Sequence, residues 1–193
     1  MIRLFDIIFS FFGLIILSPL LIVIAAWIWI DSRGPVFYRQ SRVGLYGKDF
    51  TLLKFRSMKI NADKAGLLTV GGRDNRITQA GYYLRKYKLD ELPQLVNVLF
   101  GDMSLVGPRP EVRKYVDLYS QAQRRVLDVR PGITDMASIA YKHENELLAA
   151  SPDPERTYIE QVMPEKLKLN MIFIEKPSLV NYFKIILKTV FPV

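Results

Sequence analysis

The acidic pair Asp90-Glu91 stands inside "KYKLDELPQLVNVLFGDMSLVGPRP", residues 86–110, of a chain with 27 lysines and arginines against 19 aspartates and glutamates. Two adjacent carboxylates in front of Pro93 have two uses. Ahead of an apolar helix they cap it, accepting from free first-turn N–H groups and sitting well at the positive end of the helix dipole. In a cleft, such a pair can supply a nucleophile, a general base or a ligand for a hard cation. Pro93 has no N–H, so a cap at Asp90 would keep only the Leu92 amide. The cap is a poor one, and a carboxylate at a helix start also sits where anions and their metal counter-ions collect.

Arg109 lies between Pro108 and Pro110, whose fixed φ angles stiffen its backbone and let its guanidinium be aimed at small entropic cost. Rigid arginines suit bidentate phosphate recognition; a plain turn is the alternative. Lys54, Arg56, Arg113 and Arg130 are further candidate phosphate cations, each also readable as a solvated surface charge. His143 is the only histidine, has no recognisable partners and reads as structural. Absence of cysteine rules out thiolate metal sites and cysteine nucleophiles, and neither G-x-G-x-x-G nor a P-loop occurs. A diphosphate with Mg²⁺ would use the carboxylates and the arginines together, the metal bridging carboxylate and phosphate oxygens while the cations neutralise the remainder.

These residues need elements to hold them. Residues 7–30, "IIFSFFGLIILSPLLIVIAAWIWI", run about 24 positions without a charge, enough helix for a hydrocarbon layer of about 30 Å. This is a membrane segment, since a cleaved signal has a shorter apolar core and no tryptophans crowding its far end. Ser18-Pro19 near its middle predicts a kink, and leaves both a spanning and a re-entrant course open. Arg33, Arg39, Arg42, Lys48, Lys54 and Arg56 follow directly and put the globular part on the cytoplasmic side. The organisation expected is a membrane helix over 1–32 and one catalytic domain over 33–193.

Within that domain the patterning predicts strands over 36–39 and 49–55 joined by turns at Gly44 and Gly47, and a loop or irregular hairpin over 61–76. It predicts helices over 79–87, 91–99, 112–126, 144–150 and 154–169. The tail "SLVNYFKIILKTVFPV" puts Leu179, Phe183, Ile186 and Val190 on one face, as a helix in the membrane interface or a core helix would. The fold class expected is mixed α/β, mainly helical: a small globular domain with short strands, attached to the membrane helix and carrying amphipathic interfacial helices.

"GPVFYRQSRVG", "KFRSMK", "RITQAGYYLRKYKLDELPQLVNVLFGDMSLVGPRPE" and "VRPGIT", in this order and spacing, resemble the bacterial monotopic phosphoglycosyl transferases. The resemblance implies transfer of a sugar 1-phosphate from a UDP-sugar to a polyprenyl (undecaprenyl) phosphate, giving a polyprenyl diphosphate sugar and UMP with Mg²⁺. It implies a covalent phosphosugar on Asp90, with Glu91 as its partner in tuning the site or handling a proton, and Asp90 as the Mg²⁺ ligand. It implies donor phosphate held by Arg109, Lys54 and Arg56, with Arg130 as a further phosphate or nucleotide contact. It also makes the N-terminal helix re-entrant, broken at Ser18-Pro19, on the cytoplasmic face of a bacterial inner membrane. The chain departs from the family pattern at Asp135, where glycine is common, and at Tyr182, where an acidic residue is common. The rival reading is a non-catalytic basic module on the lipid surface; nucleic-acid binding fits poorly, because the cations follow an anchor and flank carboxylates instead of forming a stripe with stacking aromatics.

Overall fold

The computed structural model describes residues 1–62 and 74–191. It is mainly helical with four short strands among the described residues. Helix α1, Ile2–Asp31, is 30 residues long and carries Pro19 inside it. Proline at 19 has no N–H for the Ile15 carbonyl, and the Ser18 hydroxyl takes that carbonyl instead at 2.7 Å. The Ser-Pro pair thus satisfies its own backbone, and the helix runs on as one element without the break expected at Ser18-Pro19.

Its buried positions, Asp6, Ser10, Ile24 and Ile28, recur on one helical face, with Gly13 meeting Leu95 between them. The helix, about 45 Å long, therefore packs on the domain near its two ends, while none of residues 11–23 is buried and Phe12, Ile16, Ile22, Val23 and Ile30 are exposed. Both ends are tied down. The Arg3 guanidinium donates to the Val98 and Leu99 carbonyls, the latter at 2.9 Å, and Asp31 accepts from the Ala80 N–H at 3.1 Å.

Strands β1, Phe37–Val43, and β2, Asp49–Phe55, form an antiparallel hairpin with Tyr38 opposite Lys54 and Arg42 opposite Phe50. The first is longer than the predicted 36–39 because it pairs along the whole of its partner. The turn takes positive φ at Tyr46 and Gly47. Helix α2, Gln79–Lys86, is capped by the Thr78 hydroxyl, which accepts from the Gly81 N–H at 3.0 Å. A Cβ on Gly81 would stand 1.9 Å from the Ser57 carbonyl oxygen, so only glycine lets this helix approach the segment that leaves β2.

Helix α3, Gln94–Phe100, starts later than the predicted 91–99: a 3₁₀ turn, Leu89–Glu91, precedes it, and Pro93 occupies its N-cap position. Strand β3, Ser104–Val106, pairs in parallel with β4, Gly132–Thr134, an element that apolar runs of three residues cannot announce. Here the two motif glycines meet: a Cβ on Gly132 would lie 2.1 Å from the Gly107 amide nitrogen.

The helix predicted over 112–126 is two pieces, α4, Arg113–Val116, and a 3₁₀ stretch, Gln123–Asp128. Ser120 N–H donates to the Gln123 side chain at 2.8 Å while Gln123 N–H donates to the Ser120 hydroxyl, a reciprocal cap that starts a second segment. Helices α5, Met136–Ala140, and α6, Glu144–Ala149, follow. The helix predicted over 154–169 is α7, Pro154–Thr157, a π turn, Tyr158–Val162, and α8, Met163–Glu175. Pro164 has no N–H to return to Glu160, and the widened π turn accommodates that gap.

Helix α9, Leu179–Val190, buries Tyr182 and Ile185 beside Val106, with Phe5 of α1 packed against them. Its inward face is thus turned from the predicted Leu179–Val190 stripe, and Val180, Leu187 and Val190 are exposed. The largest core joins Val43, Val116, Tyr119, Tyr158 and Leu167; a second joins Ile24 and Ile28 of α1 to Phe55 and Leu84. Part of the predicted 61–76 loop, including Gly71-Gly72, lies outside the described residues.

Candidate active site

The site is built where α3, β2 and the loop after β3 converge. Asn97 of α3 fixes the first two: its Oδ1 accepts from Leu53 N–H at 3.0 Å and its Nδ2 donates to Thr51 O at 2.8 Å. That contact sets the 3₁₀ turn carrying Asp90 and Glu91 against the end of β2, which carries Lys54. Lys88, in the left-handed region at φ 58°, turns the chain into the acidic pair.

The two carboxylates have opposite surroundings. Glu91 is paired twice: Arg109 grips both its oxygens, with Nη1 3.1 Å from Oε2, and Lys54 Nζ lies 3.1 Å from Oε1. Burial opposes ionisation there, but Arg109 and Lys54 outweigh it and hold Glu91 well below the usual carboxylate range. Arg109 is pushed up by Glu91, and Lys54 is pushed down, first by burial. Asp90 is 5% exposed, and among the described residues its carboxylate takes no hydrogen bond or ion pair. Burial, then the neighbouring Glu91 charge, raises its pKa, against the pull of Lys54, Arg85 and Arg109. Neither carboxylate caps α3, which has no side-chain cap, so the capping reading of the pair does not hold.

Two cavities open onto Asp90. One, of about 270 Å³, runs under α5, α6 and α8; the other, of about 310 Å³, runs beside the β1–β2 hairpin toward the segment that leaves α1. Arg42, Lys54, Arg85 and Asp90 line both. The arrangement offers one weakly held oxygen nucleophile, in a recess whose cations favour a bound anion.

Of the residues singled out in the sequence, Asp90, Glu91, Lys54 and Arg109 come together. Arg56 borders the second cavity, but its guanidinium turns to the end of α1, donating to Ser32 O, Ser32 Oγ and Arg33 O. Arg130 is exposed, donates to Gly101 O at 2.9 Å and lines neither cavity. His143 is at the surface, 3.4 Å from Glu146 Oε2.

Three members were not legible. Arg85 sits in the last turn of α2, facing both cavities with no ion pair among the described residues, and no motif singled it out. Arg42 is held by Glu111 at 3.1 Å and by Gln40. Asp135, the departure from glycine, is buried and accepts from Arg109 N–H at 2.7 Å, from Asn170 Nδ2 at 3.2 Å and from the Ser138 N–H. It fixes the backbone of the arginine that grips Glu91.

The family model described as bacterial sugar transferase matches residues 1–193. A UDP-glucose:undecaprenyl-phosphate glucose-1-phosphate transferase of Klebsiella pneumoniae is 39% identical over 193 residues, 98% of this chain and 39% of that protein. A UDP-N-acetylgalactosamine-undecaprenyl-phosphate N-acetylgalactosaminephosphotransferase of Aeromonas hydrophila is 40% identical over 160 residues, 80% of this chain and 36% of that protein. An uncharacterized sugar transferase, EpsL, of Bacillus subtilis is 45% identical over 137 residues, 71% of this chain and 67% of that protein. The chain thus spans less than half the length of the first two relatives.

Proposed function

The chain belongs to the bacterial sugar transferase family, and from that membership we propose that it moves a sugar 1-phosphate from a UDP-sugar to a polyprenyl phosphate through a covalent intermediate on Asp90. The observation that carries the reading is the buried Asp90 carboxylate, without a hydrogen-bond donor among the described residues, at the junction of two cavities edged by Lys54 and Arg85. A carboxylate used only for structure would be bonded, because leaving a buried charge unpaired is costly.

In the first step an Asp90 oxygen bonds to the sugar-bearing phosphorus and the P–O bond to UMP breaks, the electron pair leaving with UMP. In the second step a polyprenyl phosphate oxygen bonds to that phosphorus and the Asp90 carboxylate departs, giving the polyprenyl diphosphate sugar. The acyl phosphate keeps a high transfer potential, so the second step needs no new energy source. Glu91, held ionised by Arg109 and Lys54, is suited to fixing those cations and raising the energy of the Asp90 anion, and less suited to carrying a proton. Arg85 and Lys88, which make no ion pair among the described residues, are free to meet phosphate oxygens.

The residues also fit Mg²⁺. No cluster of three acidic or histidine ligands occurs among the described residues, and Mg²⁺ characteristically takes one or two carboxylates together with substrate phosphates and water. Asp90 would hold it. When bound, it would supply charge neutralisation on the diphosphate.

The way α1 is held supports a re-entrant membrane course. Buried residues near each end, Asp6 and Ser10 at one and Ile24 and Ile28 at the other, lie on a domain whose polar surface must stay in water, and both helix ends are tied to that domain. A helix crossing the bilayer would drag the domain with it; a re-entrant one, with both ends on the cytoplasmic face, does not. The exposed residues of α9, Val180, Leu187 and Val190 beside Lys184 and Lys188, would lie in the same interface.

Incubation with UDP-sugars in the absence of acceptor tests the chemistry. One equivalent of UMP should appear and the peptide holding Asp90 should gain the mass of a phosphosugar. UMP release only after polyprenyl phosphate is added would exclude the covalent step. For topology, a cysteine placed ahead of Met1 in this cysteine-free chain should escape a membrane-impermeant reagent in intact cells, and external labelling would mean a spanning helix.

A further inference from the structure

We infer that the two cavities divide the donor between them: the sugar occupies the cavity under α5, α6 and α8, while UMP and polyprenyl phosphate take turns in the cavity beside the end of α1. The inference rests on the covalent reading above. In phosphoryl transfer the entering and leaving oxygens are roughly in line. UMP therefore leaves from the apex opposite the Asp90 oxygen. In the second displacement Asp90 is the leaving group, so the lipid phosphate must enter at that same apex. The sugar stays on an equatorial oxygen through both steps. Whatever is exchanged passes through one cavity, and the sugar sits outside it.

The membrane decides which cavity is which. Pro35 and Arg56 border the second cavity, and Arg56 holds the Ser32 and Arg33 carbonyls just past α1, so a lipid phosphate at the membrane reaches Asp90 from that side. The first cavity has no lining residue from α1 or from the segment that leaves it.

The lining chemistry agrees. Ser138, Glu144, Asn145 and Asn170 give the first cavity hydroxyl, carboxylate and amide groups, the set that reads sugar hydroxyls. The Ser138 hydroxyl is buried there without a partner among the described residues, while its own N–H is satisfied by Asp135. An unpaired buried hydroxyl beside a cavity is a recognition group waiting for its ligand. Phe37 and Tyr38 line the second cavity, where ring faces accept a pyrimidine or an isoprenoid chain equally. The sugar wall comes from residues 138–170, the part of the chain that follows the departure at Asp135.

The test uses full-length enzyme in lipid nanodiscs, a panel of UDP-sugar epimers, and the variants Ser138→Ala, Asn145→Ala and Tyr38→Ala, each checked for its melting temperature. Ser138→Ala and Asn145→Ala should change the ratio of kcat/KM between the best sugar and its epimers by about tenfold, the worth of one lost hydrogen bond, with the Kd of UMP within about twofold. Tyr38→Ala should weaken UMP binding and raise the KM for polyprenyl phosphate together, each by about tenfold, with sugar ratios unmoved. UMP should compete with polyprenyl phosphate in the wild type. Unchanged sugar ratios in both first-cavity variants, or UMP binding that weakens there and not in Tyr38→Ala, overturns the assignment while leaving the transferase reading intact. A wild-type enzyme that turns over no UDP-sugar overturns both.

Discussion

Asp6 and Asp90 are both buried aspartates, 1% and 5% exposed, and they are treated in opposite ways. Asp6, one turn into α1, accepts from Ser104 Oγ at 3.0 Å, Leu105 N–H at 2.9 Å and Tyr182 OH at 2.8 Å, joining the long apolar helix to β3 and α9 through one carboxylate. Asp90 has no donor among the described residues and faces two cavities instead. A saturated carboxylate gives the fold a fixed point, and an unsaturated one keeps its lone pairs for a substrate. The difference lies in the neighbours, not in the residue type, and it can be broken from either side.

The largest effect is expected at Asp90. Asp90→Asn should lower kcat by at least about a thousandfold, because the nucleophile is gone. The same change should raise the melting temperature at neutral pH. Burial and Glu91 lift the Asp90 pKa in the folded state, so its contribution to stability is fully present below the unfolded value and is lost as pH rises through the folded one. Asparagine removes that loss, and the gap between variant and wild type should close as pH falls below the ordinary aspartate range. A variant less stable than wild type at neutral pH would show that Asp90 has partners in the fold.

At Asp6 the signs reverse. Asp6→Ala leaves three buried donors unanswered and should cost about 3 kcal/mol, read as a fall in melting temperature of roughly 10 °C, while turnover per folded molecule below the transition stays near wild type. Loss of turnover without loss of stability would place Asp6 in the chemistry.

How much of this contrast was readable beforehand depends on the length of chain that carries each signal. The apolar run of α1, the 49–55 strand and the helix after Thr78 announce themselves over seven or more residues, and they stand close to where patterning puts them. The Asp90-Glu91 pair and Arg109 were legible because two prolines and a family motif mark them. Asp6 was not: nothing local marks it, and its three donors come from residues 98 or more positions away. Arg42 and Arg85 were missed for the same reason, and nothing local says that the Arg56 guanidinium, at the edge of the second cavity, closes the end of α1. The departure at Tyr182 resolves in the same place: its hydroxyl bonds Asp6, so this position serves the anchor and not the cavities.

Glu91 sharpens the comparison from inside the site. Glu91→Gln removes the partner of Lys54 and Arg109 and should lower kcat by about a hundredfold through their displacement. It should also move the acid limb of kcat/KM. In the wild type, activity falls as pH drops through the raised Asp90 pKa, because the protonated carboxyl is no nucleophile. Without Glu91 the like charge is gone, and Lys54, Arg85 and Arg109 all face Asp90, so the limb should shift to lower pH. A shift upward would mean that Glu91 stabilises the Asp90 anion.

The smallest expected effect isolates one bond of the anchor. Tyr182→Phe keeps the ring that packs between Val106 and Ile185 and removes only the hydroxyl that Asp6 accepts. Asp6 keeps Ser104 and Leu105, so the loss is one hydrogen bond to a charged group with no cavity formed, about 1.5 kcal/mol. Chemical denaturation should show that loss at an unchanged slope, since the exposed surface is the same. Combined with Asp6→Ala, the second change should cost almost nothing further, because the bond it removes is already gone. Full additivity in that double variant would mean that Tyr182 stabilises the fold through its ring alone, and that Asp6 is held by β3 without help from α9.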